Sequence, residues 1–174
     1  MAVLLIADSG PLFSLAAADL LDLFLYFEMV ITDVVKEETI DRGGAHAASV
    51  EAKRLHEFFL TNKKRIRIEP TQVGDDMRRL RIANPTRSLP RNAGELSIQS
   101  LLIHLEVIGA ETAPPIVLFE DGWFLRHGQS LKGACVLLST QAFLVEMEAM
   151  GLIPSAREVR LAIDALRPSA YRKS

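Results

Sequence analysis

The chain has 174 residues, 49% hydrophobic and 24% charged, with a formal net charge of −2. A chain of this length folds as one domain and buries roughly 70% of its unfolded surface, which excludes a disordered chain and the need for a covalent staple. One cysteine, Cys135, excludes an internal disulfide and a multi-cysteine zinc site; it reads as a small buried apolar residue in a reducing compartment.

No basic residue precedes the brief apolar run Ala2 to Ala7, and no uninterrupted apolar stretch approaches membrane length. A cytoplasmic protein with no membrane partner is therefore expected. Val3 to Ala7 is a continuous apolar run that meets Asp8-Ser9-Gly10-Pro11, the pattern of a strand covered on both faces and closed by a turn. Asp19 to Leu25 reads as a short helix and Met29-Val30-Ile31 as a second strand, with Thr32 or Asp33 capping the helix after it. That helix carries Val34, Val35, Glu37 and Glu38 until Gly43-Gly44 interrupts it, and an amphipathic helix resumes from about Ala45 to Leu60.

Arg65 to Ile68 alternates like a strand. Gly74 to Asn92 has little periodicity and contains Pro85 and Pro90, so it reads as a long functional loop. Glu95 to Val107 is a helix apolar around most of its circumference, which implies burial between two layers. Ile116 to Phe119 is a strand ending in Glu120-Asp121-Gly122, and Gly133 to Leu137 a last short one. Helices follow at Thr140 to Met150 and Ala156 to Leu166. The alternation predicts an α/β/α sandwich with a mainly parallel central sheet, in one domain over residues 1–168 with a short basic tail at 169–174.

Four acids stand at the edges of these elements: Asp8 and Asp121 after strands, Glu95 at the start of the apolar helix, and Glu38 in an early helical turn. Ligands gather at the carboxyl ends of parallel strands, so Asp8 and Asp121 are placed to converge. Taken singly, each has a plainer reading. An Asp before Gly or Ser-Gly makes turns and caps, Glu95 complements a helix dipole, and Glu38 or its neighbour Glu37 sits on a solvated face.

The segments LLIADSGPL, ITDVVKEE, AGEL, VLFEDGW and KGACVLLSTQAFLVEMEAMGLIPSA, in that order, resemble the PIN-domain nucleases over nearly the whole chain. The resemblance is to the ribonuclease toxins of bacterial toxin–antitoxin pairs in particular. It implies that Asp8, Glu38, Glu95 and Asp121 form the family's acidic cluster, with Glu38 preferred to Glu37. Glu120-Asp121-Gly122 departs from the paired aspartates common in relatives, as does the long insertion before Glu95.

Carboxylates packed together repel unless a cation neutralises them, and an all-oxygen set suits Mg²⁺ or Mn²⁺. Asp8, Glu95 and Asp121 are the expected metal ligands, with Glu38 acting through water, in a metal-dependent endoribonuclease that hydrolyses RNA phosphodiester bonds. Ser9 is a candidate phosphate donor or a plain turn hydroxyl. Trp123 stacks on a base or closes the core, and the four scattered histidines lack metal-ligand spacing. Met147 and Met150 read as core or dimer packing.

Arg78, Arg79, Arg81, Arg87 and Arg91 put positive charge ahead of Glu95. Arg87 and Arg91 are candidate contacts for the RNA backbone; the alternative for the stretch is a solvated loop, or ion pairs to Asp75 and Asp76. The resemblance implies a cognate antitoxin and a homodimer, with the apolar helix starting near Ala16 either contributing the interface or filling the core. Two other functions compete: a nuclease acting on DNA, and a catalytically inactive PIN-like module that binds nucleic acid or protein.

Overall fold

The computed structural model describes residues 3–41, 49–86, 90–108, 113–127 and 135–167. Its strands are β1 (Leu4–Ala7), β2 (Glu28–Thr32), β3 (Ile66–Glu69), β4 (Ile116–Phe119) and β5 (Val136–Ser139), all parallel, in the sheet order β3-β2-β1-β4-β5. The helices are α1 (Ser9–Ala17), α2 (Asp33–Lys36), α3 (Val50–Asn62), α4 (Gln72–Ala83), α5 (Ala93–Ile108), α6 (Trp123–His127), α7 (Thr140–Ala149) and α8 (Ala156–Leu166). A 3-10 turn spans Leu21–Tyr26, and α2 runs on into a π-helical turn at Glu37–Asp41.

The α/β/α sandwich expected from the sequence is observed, and its sheet is parallel throughout. β1 is buried along its whole length, as are Val117, Leu118 and Phe119 of β4, because helices cover both faces of the central strands. The outer strands are wetter: Ile68 and Val136 are exposed, and Arg67 on β3 pairs with Glu28 and Glu69. Leu5, Ile6, Phe24, Ile98, Phe124 and Phe143 are fully buried, each burial stabilising the fold by roughly 1.5–3 kcal/mol. From β1 the chain winds outward through β2 to β3, then returns to lay β4 on the other side of β1. That reversal opens a crevice beyond the carboxyl ends of β1 and β4.

Hydroxyl caps set most helix starts. Thr32, Ser49, Thr71, Ser139 and Ser155 each accept from the backbone N–H three residues on. Ser9-Gly10-Pro11, expected as a turn, is instead the first turn of α1, where proline's missing N–H costs nothing. Asp19 to Leu25, expected as a helix, becomes a left-handed residue at Asp19 (φ 59°) followed by the 3-10 turn.

Gly74 to Asn92, expected as a loop, is helical through Ala83. Its periodicity escapes the sequence because only Gly74 and Met77 of α4 are buried, and glycine carries no hydrophobic signal. On α5 the apolar residues Ile103 and Val107 are exposed, so one face of that helix is not covered as expected. Met147 is core, whereas Met150 is 60% exposed. Gly43-Gly44, the expected helix start at Ala45, Gly133, Arg87 and the 169–174 tail lie outside the described residues. Among the described residues no helix is long and apolar enough to cross a membrane.

Gly74 allows α4 to close against α2. A Cβ there would fall on the Asp33 carboxylate, which is held by the Val34 amide (3.1 Å), the Thr71 hydroxyl (2.9 Å) and Arg78 Nη1 (2.7 Å) and has no room to retreat. Gly74→Ala is expected to lower stability by about 2 kcal/mol, read as a shifted urea midpoint. An unchanged midpoint would show that α4 does not pack this closely.

Candidate metal-binding acid site

Asp8 leaves the carboxyl end of β1 and occupies the N-cap position of α1, yet its side chain makes no capping bond. The plain capping reading therefore fails for Asp8. The residue is 4% exposed, and its Oδ1 is buried without a hydrogen-bond partner. Such an orphaned oxygen is costly unless something fills the space before it. Burial raises its pKa from 3.8 to about 7, helped by the charges of Asp121, Glu38 and Glu120 and opposed by the Ser9 backbone N–H.

Glu95 lies in the first turn of α5 and is 7% exposed. Burial, the charge of Asp8 and a hydrogen bond with Asp121 raise its pKa from 4.5 to about 8. The protonated form of Glu95 is thus favoured beside Asp121. Asp121 is itself exposed and also accepts from the Trp123 amide at 2.8 Å, so its capping and cluster roles coexist.

Glu38 reaches the cluster from the π-helical turn. A Cβ on Gly94 would lie 3.0 Å from Glu38 Oε2 and 3.2 Å from Asp8 Oδ1, so both oxygens border one small space that the glycine keeps open. The neighbouring Glu37 points elsewhere and pairs with Arg81 Nη2 at 2.6 Å. The extra residue of a π turn changes which side chain faces inward. The choice between the two glutamates, open in the sequence, falls on Glu38.

A buried chain of hydroxyls fixes these segments relative to one another. Ser97 Oγ donates to the Gly94 carbonyl at 2.6 Å, so its single proton is spent and Thr32 Oγ1, 2.6 Å away, must be the donor between the two hydroxyls. The end of β2 is thereby stapled to the start of α5. Residues 32 and 97 carry no sequence signal for this, being 65 positions apart.

Glu120 is a fifth acid beside the cluster. Its side chain is tucked against Gly10 and accepts from Arg167 Nη1 at 3.4 Å, while the same nitrogen donates to the Gly10 carbonyl at 3.1 Å and to Ser14 Oγ. Ser9 is half-buried, and its backbone N–H is the group that contacts Asp8. Trp123 is buried and stacked on His127, so of its two expected roles it closes the core. Arg78 pairs with Asp75, as the ion-pair alternative expected, and also with Asp33, while Arg81 pairs with Glu37, a partner the sequence did not suggest. Arg91 is exposed just ahead of α5.

The donor chemistry fits a hard divalent cation: all-oxygen side chains, an orphaned Asp8 Oδ1, and a glycine keeping the space clear. Among the described residues no group of three or more His, Cys, Asp or Glu is gathered so that it could hold a metal ion. Comparison of the chain with protein-family models, with curated proteins and with solved structures returns no match.

The raised acids set a direction of pH dependence. Between their unfolded values, 3.8 and 4.5, and their folded values, about 7 and about 8, the folded protein holds more protons than the unfolded chain. Their contribution to stability is therefore full below pH 4 and is lost as the pH rises through 7 to 8. The midpoint difference between wild type and Asp8→Asn should widen against the wild type from pH 5 to pH 8.5, and Mg²⁺ or Mn²⁺ should close it only at the higher pH. A pH-independent difference would contradict the buried cluster.

Arg81 supplies a second check. Arg81→Met frees Glu37 to compete for the inner position, and is expected to weaken Mn²⁺ binding by roughly tenfold with little change in stability. Unchanged affinity by calorimetric titration would show that the ion pair does not set the glutamate's register.

Proposed function

We propose that the chain is a metal-dependent endoribonuclease of the PIN-like kind, acting on RNA phosphodiester bonds through Asp8, Glu38, Glu95 and Asp121. The observation that carries this reading is the convergence of four acids from four separate segments on the crevice beside β1 and β4, with a buried Asp8 oxygen that nothing satisfies. A stability-driven fold gains nothing from that arrangement, since it places like charges together out of water. The toxin role, a cognate antitoxin and a homodimer come from the sequence resemblance alone, and a cytoplasmic setting from the single cysteine and the short apolar runs of the sequence.

Bound at these carboxylates, Mg²⁺ or Mn²⁺ would lower the pKa of a water and balance charge on the phosphate. Asp8, Glu95 and Asp121 are the residues to hold it, and Glu38 borders the same space and is placed to orient water. The Ser9 amide keeps Asp8 aimed outward from β1. Glu95 gives up its proton to become a ligand, so binding of the cation releases protons and strengthens as the pH rises toward 8. Arg91, exposed just ahead of α5, is the side chain we assign to the RNA backbone.

A module that binds without cutting is the second reading, favoured by the finding that no three acids among the described residues are gathered to hold a metal ion. Purified protein with single-stranded RNA, structured RNA and DNA, with and without Mg²⁺ or Mn²⁺, separates the readings. RNA cutting that needs the metal and falls at least about a hundredfold in Asp8→Asn is expected. Cutting that survives Asp8→Asn, or binding with no cutting in any metal, would reject the enzyme.

A further inference from the structure

A groove of about 450 Å³ runs past the carboxyl ends of β4 and β5. Its size falls in the range of small-molecule sites, roughly 300–1,000 Å³. Phe119, Leu125, Leu137 and Ala142 give it apolar surface suited to the face of a flat ring. Glu120, on its wall, precedes Asp121 in the chain and is felt electrostatically by Asp8, so the groove opens directly beside the acid centre.

The polar groups of the groove are oriented by the rest of the structure. Arg160 donates to Gln141 Oε1 at 3.2 Å while Asp164 holds its Nε at 3.0 Å. Arginine has no acceptor, so the Gln141 oxygen must face it, and the group left for a ligand is the amide nitrogen, a donor. Ser139 Oγ accepts from the Ala142 amide, which leaves its proton to give. Thr140 spends its own proton on the Phe119 carbonyl. Glu120 gives its Oε2 to Arg167 at 3.4 Å. Gln141 and Ser139 therefore present donors beside an apolar wall.

From this we infer that the groove seats the base of a nucleotide next to the bond to be cut, and that it favours guanine or uracil over adenine or cytosine. The inference deepens the ribonuclease reading of the acid centre and rests on it. Guanine O6 and uracil O4 are acceptors where adenine N6 and cytosine N4 are donors, so at that position adenine and cytosine would set donor against donor. Single-stranded RNA offers these edges unpaired.

Nucleoside 5′-monophosphates contain no internucleotide bond, so they test the groove in the wild-type protein whether or not it cuts RNA. In methyl-labelled protein, GMP and UMP should shift the resonances of Leu125, Leu137 and Ala142 and bind about tenfold more tightly than AMP and CMP. Gln141→Leu, at an exposed position, should erase the preference while Mn²⁺ affinity stays unchanged. No shift at these methyls, equal binding of all four nucleotides, or a preference that survives Gln141→Leu would overturn the inference. Cleavage mapping separates the two claims: cuts with no fixed guanine or uracil nearby sink the groove and keep the nuclease. Base-selective binding without cutting keeps the groove and sinks the nuclease.

Discussion

Packing carboxylates together out of water costs free energy, and much of this molecule is arranged around that cost. Asp8 and Glu95 are buried; the charge of Asp8 raises the pKa of Glu95, and Asp121 raises both. The fold accommodates them by favouring their protonated forms. Other acids are paired with arginines: Glu120 with Arg167, Glu37 with Arg81 and Asp33 with Arg78.

Backbone architecture decides where the acids meet. Reversal of strand order between β1 and β4 leaves a crevice that both strands border with their carboxyl ends. Asp8 and Asp121 follow from those two strands. Glu95 and Glu38 arrive from helices on another side and need placing, which the Thr32–Ser97–Gly94 hydroxyl chain and the π-helical turn provide. Gly94 completes the arrangement by omission, since any side chain there would meet Glu38 and Asp8.

The acid centre and the adjoining groove divide the proposed work. One holds charge and offers oxygen ligands; the other offers an apolar wall with fixed donors. Glu120 is shared between them, bordering the groove while its charge reaches Asp8. Arg167, reaching back from beyond α8 to Glu120 and the first turns of α1, links the end of the described chain to both.

The fold class was legible in the sequence because buried parallel strands leave continuous apolar runs, as in Leu4–Ala7 and Ile116–Phe119, and their order is local information. Asp8 and Asp121 drew notice for the same reason, since they end such runs, and Glu95 because it opens an apolar helix; Glu38 was singled out by the family resemblance. What the sequence left open depended on direction rather than position. Glu37 and Glu38 are equivalent along the chain, and only the π turn and Arg81 give them different neighbours. Helix α4 passed for a loop because its contact stripe is Gly74 and Met77, and α1 passed for a turn because glycine and proline fit a first helical turn as readily as a bend. The staple between Thr32 and Ser97, the tie from Arg167 to Glu120 and the donor-lined groove join residues far apart in the chain. Tertiary structure alone decided those, because a hydrogen bond depends on distance and orientation in space, and neither is encoded in the spacing of two residues along the chain.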